Sequence, residues 1–308
     1  MTAPDTLARL RDRLAATAGL ERVAVGASLA PHTTWRVGGA ADLLCVATEV
    51  EGLIAAARAA RELAVPWRVL GRGSNVLVRD GGVAGLVILN RTSELRIEPP
   101  AVTADAGLLL STLARRTASA GMAGLEWSAG IPGSVGGAVV SNAGAHGGAI
   151  ADTLRRALLL DSQAETSWVE APSLKLAYRH SRLREGDAPE EIVLRADFTL
   201  LLDDPAQLRV RMEEQKRQRK ATQPTSQASA GSVFKNPPGD SAARLIDQAG
   251  LKGTWIGGAQ VSSLHANFMV TKEGARAADV LALIALVRER VQARFGVSLV
   301  LEVQPIGY

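Results

Sequence analysis

Hydrophobic and polar positions alternate in short runs over the first two-thirds of the chain, and glycine, aspartate or proline separates the runs. Short runs bounded by turn-forming residues are typical of β-strands. They predict strands at Asp42–Thr48, Trp67–Leu70, Val76–Val78, Leu86–Leu89, Ala101–Asp105, Leu154–Asp161 and Ile192–Leu201, with a loop-rich segment between the last two. Helical spacing predicts an N-terminal helix capped near Asp5 or Thr6, a helix over Val50–Ala64 that stops before Pro66, and a helix over Leu108–Ala120 that Gly121 ends. Short strands with few helices favour an α+β fold over regular βαβ repeats.

The last third of the chain has a different character. A boundary is predicted at Asp203–Pro205, where a charged helix begins whose end, Arg209–Lys220, carries six basic and two acidic residues. Two interpretations of this basic segment are open, a nucleic-acid-binding face and a solvated helix face, and the solvated face is favoured. The polar stretch Ala221–Ser232 is a disordered segment, a linker or a functional loop. A helix over Arg276–Phe295 and a strand over Val297–Val303 are expected to end the chain.

Composition narrows the class of protein. The chain has 308 residues, enough for two or three domains, and its 47% hydrophobic and 21% charged content is ordinary for a globular protein. No apolar run reaches the roughly 18 residues of a membrane span, and arginines interrupt the N-terminal segment, so a soluble, intracellular protein is expected. Cys45 is the only cysteine, which excludes an intrachain disulfide and favours the cytoplasm. The net charge of +4 suits a small anionic substrate and gives no reason to expect nucleic acid.

Glycine is concentrated in two places. The 25 residues from Gly124 to Gly148 hold 8 of the 30 glycines, and Gly71–Asn75 reads GRGSN directly after an apolar run. Consecutive backbone N–H groups in such turns form concave sites that suit phosphate oxygens. Two of them suggest an extended, phosphate-bearing ligand. The alternative is that the glycines only build tight turns between strands.

Several common catalytic motifs are missing from the sequence. No glycine is followed directly by lysine, which excludes a Walker-type loop, and Gly71-x-Gly73 lacks the third glycine of the dinucleotide fingerprint. The four histidines form no HExxH motif, and no serine lies in a GxSxG elbow. Phosphate-cradling loops without these motifs favour an unusual flavin or nucleotide fold.

Six segments, in order, resemble one family. They are TTWRVGG (33–39), LGRGSNVLV (70–78), GIPGSVGGAVVSNAG (130–144), YRHS (178–181), GSVFKNPPGD (231–240) and GGAQVSSLHANFMV (257–270). The ordered set resembles the UDP-N-acetylenolpyruvoylglucosamine reductases, also called UDP-N-acetylmuramate dehydrogenases, over nearly the whole chain from about Thr33 to Gly307. The span from Arg179 to Val193 is short, so the chain resembles the branch that lacks the loop whose tyrosine closes over the substrate.

The resemblance implies a vanillyl-alcohol-oxidase-like FAD-binding fold of two subdomains, followed by a C-terminal α/β substrate-binding domain. The expected divisions are 1–70, with the N-terminal helix, 71–202 and 203–308. The implied cofactor is non-covalent FAD, and NADPH is the implied co-substrate. The implied role is a cytoplasmic step of peptidoglycan precursor synthesis, and thus of cell-wall biogenesis, cell shape and division. A monomer is expected, with no nucleic-acid partner, no metal and no membrane insertion.

The implied reaction has two halves. NADPH delivers a hydride to FAD and leaves, and the reduced flavin then gives hydride to the methylene carbon of the enolpyruvyl ether of UDP-GlcNAc. Negative charge develops on the neighbouring carbon, so the site needs an electrophile near the carboxylate and a proton donor. By resemblance Ser232 is that donor, Arg179 pairs with the enolate and carboxylate, and Glu302 is the C-terminal catalytic glutamate. Because Leu301 and Val303 flank Glu302, a solvent-exposed strand position is its alternative.

The resemblance also assigns binding residues. Those expected at FAD are Thr34, Arg36, Gly71, Arg72, Gly73, Ser74, Asn75, Gly130, Ile131, Pro132, Ser134, Gly136, Gly137, Asn142 and Gly144. Those expected at the UDP-sugar are Tyr178, Lys235, Asn236, Gln260, His265 and Asn267. Two positions depart from the family pattern, since His146 and Ala149 stand where a tyrosine or cysteine and a glutamate are usual.

Two other functions stay open at this point. A flavin oxidase or dehydrogenase of the same fold, acting on an alcohol or amine, would bind FAD but no UDP-sugar. A nucleotide-sugar-binding protein with a degenerate site would need no catalytic groups. The presence of Arg179, Ser232 and Glu302 together argues against mere binding.

Overall fold

The computed structural model describes residues 3–184 and 191–308, which form two compact units. The first unit comprises Met1–Ala27, Asp42–Arg72 and Ala84–Arg217, and the second comprises Ser28–Ala41, Gly73–Val83 and Gln218–Tyr308. The α-helices are α1 (Pro4–Ala15), α2 (Val50–Glu62), α3 (Leu110–Ser119), α4 (Val135–Ser141), α5 (Pro205–Thr222), α6 (Ala242–Gln248) and α7 (Ala277–Phe295). Short 3-10 helices lie at Ala30–His32, Glu126–Ser128, Ile150–Asp152, Ala171–Leu174 and Arg182–Arg184.

The strands are short, as the sequence predicts. They are β1 (Leu20–Ser28), β2 (Ala40–Ala47), β3 (Trp67–Leu70), β4 (Val76–Val78), β5 (Val83–Asn90), β6 (Leu95–Glu98), β7 (Ala101–Asp105), β8 (Met122–Ala123), β9 (Gly144–Ala145), β10 (Gly148–Ala149), β11 (Leu154–Leu160), β12 (Thr166–Glu170), β13 (Ile192–Thr199), β14 (Leu201–Leu202), β15 (Ala228–Ser232), β16 (Trp255–Ile256), β17 (Ala259–Val261), β18 (Phe268–Thr271) and β19 (Gln304–Ile306). The mixture of helices and short strands confirms the predicted α+β class.

The first unit contains a small sheet of order β1-β2-β5-β3, in which β3 and β5 run parallel. Helix α2 buries an alanine-rich face in the core behind this sheet, together with residues of α1 such as Leu10 and Leu14. Helix α1 is confirmed, but the predicted cap at Asp5 or Thr6 is wrong. The helix begins at Pro4, whose fixed φ suits the first helical position, so Asp5 and Thr6 lie inside the first turn.

The second sheet of the first unit has the order β12-β11-β13-β7-β6 and is antiparallel. Its core includes side chains of β7, β11, β13, α3 and α4. Strands β6 and β12 were not predicted, and the segment holding β12 was expected to be loop-rich. Both strands lie at the edges of the sheet, with every second residue of β6 and four of the five residues of β12 exposed, so they lack a long apolar run.

The second unit is built on an antiparallel sheet of order β15-β18-β17-β16 with α6 and α7 in its core. The last strand is β19, which begins at Gln304 and pairs in parallel with β4. The strand predicted at Val297–Val303 is wrong, because those residues form no strand. In that range Leu301 forms only an isolated bridge with Phe234. Of the stretch Ala221–Ser232, the last five residues form β15, which excludes disorder there.

The charged helix α5 follows the predicted boundary and buries only a narrow face. Its residues Leu208 and Met212 pack with Ala114, Ala118 and Ala129. Throughout the described ranges, no helix has the length and apolar character needed to cross a membrane.

Candidate active site

The turn after β3 brings Gly71 against the start of α4 within the first unit. A Cβ on Gly71 would overlap Ser134 Oγ, so alanine here would require the Ser134 side chain to rotate away from its capping position. Ser134 is the N-cap of α4 and accepts a hydrogen bond from Gly137 N at 3.4 Å. The Gly71 carbonyl accepts from the Arg91 guanidinium at 2.7 Å. The Arg91 side chain therefore fixes the backbone of this turn.

Two guanidinium groups give this turn a positive potential. Arg72 Nε is buried without a hydrogen-bond partner, and burial lowers the pKa of Arg72. Burial and the charge of Arg72 together lower the pKa of Arg91 to about 10. An anion beside the pair would relieve both effects. Arg91 was missed in the sequence, where its signal is a charged residue directly after the apolar strand β5.

The glycine-rich segment is less loop-like than expected, because α4 begins inside it. The N–H groups of Val135 and Gly136 donate to Leu108 and Ala106 carbonyls at 2.9 and 2.8 Å. These two amides are thus used within the protein. Residues 130–137, which include several expected FAD contacts, do not form one continuous loop, since the last three belong to α4. Gly130, Ile131, Pro132 and Gly137 remain at the part-exposed or exposed surface of this segment.

Arg179 lies in a tight turn that α4 supports. Ala177 and His180 exchange backbone hydrogen bonds, and Arg179 occupies the turn with φ of 52°. Two clamps fix the turn: Ser181 Oγ donates to Val140 O at 2.6 Å, and Asn142 Nδ2 donates to Ala177 O at 2.8 Å. The side-chain oxygen Oδ1 of Asn142 also accepts from Ala151 N at 2.9 Å, so both ends of this side-chain amide bond to the protein backbone.

The Arg179 guanidinium is itself oriented. Its Nη2 donates to Gly144 O at 2.7 Å, and its Cζ lies 5.6 Å from the centre of the Tyr178 ring. Tyr178 is 57% exposed, so its phenol is accessible to a ligand. The predicted closing branch depends on Arg179–Val193, of which residues 185–190 lie outside the described residues.

In the second unit the TTWRVGG segment supports the other half of the GRGSN turn. Thr34 N donates to Gly73 O at 3.1 Å, and Trp35 Nε1 donates to Met269 O at 2.7 Å. Gly73 has φ of +62°, and a Cβ there would overlap the His32 carbonyl. Arg36 has a positive φ of 56° and is exposed to solvent.

Glu302, Asn75 and Val233, the residue after Ser232, share one hydrogen-bonded network of the second unit. Glu302 N donates to Val233 O, next to Ser232, at 2.8 Å, and Asn75 Nδ2 donates to Glu302 O at 3.2 Å. Gln304 N in turn donates to Asn75 O at 3.0 Å. Ser232 and Glu302 are half-buried, and Glu302 lies outside any regular strand, so the strand alternation invoked from sequence does not govern its exposure. Ser74 precedes Asn75 and is also half-buried.

The HANF segment packs beside Ser232. The Asn267 side chain accepts from Phe234 N at 3.0 Å and donates to Phe234 O at 2.8 Å. His265 Nδ1 accepts from Asn267 N at 3.2 Å, and the His265 ring meets Phe268 edge-on at 4.7 Å. Burial lowers the pKa of His265, and the charge of Lys252 adds to that lowering.

Three further residues of the second unit are expected at the substrate: Lys235, Asn236 and Gln260. Lys235 N donates to Val300 O at 2.8 Å, which fixes the backbone from which the ammonium projects. Asn236 is exposed, and its Oδ1 accepts from Ala242 N at the start of α6. Gln260 Nε2 donates to Gly253 O at 3.2 Å across the turn before β16.

Comparison with known proteins agrees with this geometry. Residues 41–170 match the family described as FAD binding domain, and residues 223–306 match the UDP-N-acetylenolpyruvoylglucosamine reductase C-terminal domain. A UDP-N-acetylenolpyruvoylglucosamine reductase of Heliobacterium modesticaldum is 47% identical, over 90% of this chain and 88% of the relative. One of Synechococcus sp. (strain RCC307) is 46% identical, over 91% and 92%.

A solved structure extends the likeness to three dimensions. The crystal structure of UDP-N-acetylenolpyruvylglucosamine reductase from Thermus caldophilus has a TM-score of 0.78 and 38% identity, over 93% of this chain and 98% of the other. Fold and matches define an FAD-dependent oxidoreductase, and the expected FAD-binding domain followed by a C-terminal domain of the reductase family is confirmed. The chain belongs to the UDP-N-acetylenolpyruvoylglucosamine reductase family.

Proposed function

We propose that this protein reduces UDP-N-acetylenolpyruvoylglucosamine to UDP-N-acetylmuramate with NADPH and FAD. The observation that carries the proposal is the near full-length likeness to reductases of this name, at 47% and 46% identity. The arrangement of Ser232 and Glu302 supports it, since one backbone hydrogen bond ties their segments together. FAD, when bound, would accept hydride from NADPH and pass hydride to the substrate.

The Gly71–Asn75 turn fits the pyrophosphate of FAD. Arg72 Nε is buried without a hydrogen-bond partner, which costs free energy, and a phosphate oxygen would accept its hydrogen bond. Arg91 adds a second positive charge to the same turn. Gly73 keeps the backbone close because a Cβ there would overlap the backbone of His32 and Thr33, and a Cβ on Gly71 would displace the Ser134 hydroxyl. Ser134 offers a hydroxyl at the Gly71 side. We propose these residues as the core of the cofactor site, with the other expected FAD contacts at its borders.

Each catalytic residue has a proposed task. Arg179, held by Gly144 and the Tyr178 ring, would bind the substrate carboxylate and stabilise the charge that develops beside it. Ser232 would give a proton to the α-carbon from its hydroxyl. Glu302, whose backbone is bound to the Val233 carbonyl, would polarise the same region. Lys235 would pair with the diphosphate of the UDP group, and Tyr178, Asn236, Gln260 and His265 would contact the nucleotide or sugar.

The test combines product analysis with one substitution. The protein, loaded with FAD, is incubated with NADPH and UDP-N-acetylenolpyruvoylglucosamine, and the nucleotides are separated and weighed by mass spectrometry. A product two mass units heavier than the substrate, formed in step with NADPH consumed, supports the proposal. S232A should keep flavin reduction by NADPH but lose about 10²- to 10⁴-fold in flavin reoxidation by the substrate. Reoxidation of S232A at the unsubstituted rate would exclude Ser232 as donor.

Several finer assignments belong to the same proposal. We propose a monomer that works in the cytoplasm, prefers NADPH, and divides at the expected boundaries 1–70, 71–202 and 203–308. Gel filtration with light scattering tests the monomeric state, and a comparison of flavin reduction by NADPH and by NADH tests the coenzyme preference.

A further inference from the structure

We propose that Asn267 is the positioning residue for Ser232: its side-chain amide holds the Ser232–Lys235 segment in register. The inference rests on the proposed function, in which Ser232 is the proton donor. It gives Asn267 a different role from the substrate contact expected from sequence. Asn267 would act through the backbone next to Ser232 rather than by touching the ligand.

The sheet loses its regular pairing at this point. Strand β15 pairs with β18 at Ala228 and Ser229, a register shift follows, and Ser232 then lies opposite Phe268. A backbone leaving a sheet at such an irregularity needs other partners for its N–H and C=O groups. Asn267 supplies them on one side. Its backbone carbonyl accepts from Val233 N at 2.9 Å, and its side-chain amide bonds both the backbone N–H and the backbone carbonyl of Phe234.

The segment is held equally firmly on its other edge. Val233 O accepts from Glu302 N at 2.8 Å, Phe234 bridges Leu301, and Lys235 N donates to Val300 O at 2.8 Å. The chain from Ser232 to Lys235 therefore runs between Asn267 and residues 300–303 as a central strand would. Its position fixes the spacing of Ser232 from the backbone of Glu302.

Asn267 is suited to this task and poorly suited to binding a ligand. It is 3% exposed, and both ends of its amide already bond to Phe234. The pairing needs one donor and one acceptor on the same short side chain. Aspartate keeps the shape but sets a second acceptor against the Phe234 carbonyl, and leucine leaves both Phe234 groups unpaired.

The test measures the two half-reactions separately in the full-length, FAD-loaded protein. In N267D and N267L, flavin reduction by NADPH should stay within about twofold, while reoxidation by UDP-N-acetylenolpyruvoylglucosamine slows roughly 10- to 100-fold because the donor is misplaced. D279A is the matched control: Asp279 also accepts from two backbone N–H groups in the second unit, those of Gly258 and Arg276, but bonds nothing in the Ser232 segment. It should leave both half-reactions within about twofold. Should N267L not fold, N267D gives the same comparison.

A double variant separates positioning from general loosening. If Asn267 acts through Ser232, S232A/N267D should reoxidise no more slowly than S232A alone, because the hydroxyl to be placed is already gone. Reoxidation of N267D at the unsubstituted rate, or an equal slowing in both backgrounds, would overturn the inference. If S232A itself reoxidises normally, the proposed donor is wrong and the inference falls with it. If S232A fails and N267D does not, only the inference falls.

Discussion

Gly73→Ala tests whether the GRGSN turn demands glycine for the two reasons that the structure gives. Gly73 has φ of +62°, a region that costs an L-residue about 1–2 kcal/mol. The added Cβ would also overlap the His32 carbonyl and lie 2.8 Å from Thr33 Cα. Both neighbours are backbone, so no side chain can rotate away to make room.

The second reason can be isolated with Gly274→Ala. Gly274 has a similar φ of +78° in the same unit, and a Cβ there meets nothing within 4 Å. Alanine also removes about 0.4–1 kcal/mol of unfolded-state freedom at either position. We therefore expect Gly274→Ala to destabilise by at most about 1–2 kcal/mol. Overpacking typically adds about 1–3 kcal/mol, so Gly73→Ala should be less stable than the control by that amount.

Urea unfolding of the two FAD-free variants measures this difference, and a flavin-fluorescence titration measures its effect on the cofactor. A displaced Gly73 moves Ser74 and Asn75 with it. We expect FAD affinity to fall about tenfold or more in Gly73→Ala, equivalent to about 1.4 kcal/mol, and to stay near the unsubstituted value in Gly274→Ala. Equal stability of the two variants, with equal FAD affinity, would refute the steric argument.

Three further predictions follow from charge and burial. Arg91→Gln should weaken FAD binding about 10- to 100-fold by removing a charge from the Arg72 turn, whereas Arg115→Gln on the exposed face of α3 should not; equal affinities by fluorescence titration would contradict this. Because the pKa of His265 is lowered in the fold, stability should be complete above the unfolded histidine pKa of 6.5 and decline as the pH falls below it. In pH-dependent urea unfolding, His265→Gln should remove part of that decline, and an unchanged slope would show that His265 does not contribute. Burial raises the pKa of the Cys45 thiol to about 12, so at pH 8 it should react with Ellman's reagent only after unfolding; rapid labelling of the native protein would be the opposite result.

Local sequence was sufficient where both ends of an element carry turn chemistry. The strands Trp67–Leu70, Val76–Val78 and Ala101–Asp105 are confirmed with the predicted bounds, because glycine, proline or aspartate lies close to their ends. The prediction was wrong at Val297–Val303, where the backbone pairs only over residues 300–303, with Val233 and Lys235 and through an isolated bridge between Leu301 and Phe234. Pairing with β4 instead begins at Gln304, and no local pattern encodes that choice.

The candidate site shows the same division. The GRGSN turn is visible from its glycines, whereas Ser232 and Arg179 are assigned by the resemblance of their motifs to the family. The roles of Arg91 and Asn267 depend on contacts between distant segments, at Gly71 O and at the Phe234 backbone. Asn267 was named from its motif as a substrate contact, while the bonds that occupy its amide are visible only in the fold. Sequence thus indicates which residues belong to the site more readily than which atom each one contacts.

The most direct test of the central claim is an anaerobic spectrum of the purified, FAD-loaded protein recorded in two steps. The proposed function predicts that NADPH bleaches the flavin absorbance and that UDP-N-acetylenolpyruvoylglucosamine then restores it. Bleaching with no return on adding this substrate would contradict the proposed reaction and point to a different flavin enzyme of the same fold. Absence of a flavin spectrum, even after FAD is supplied, would contradict the cofactor assignment itself.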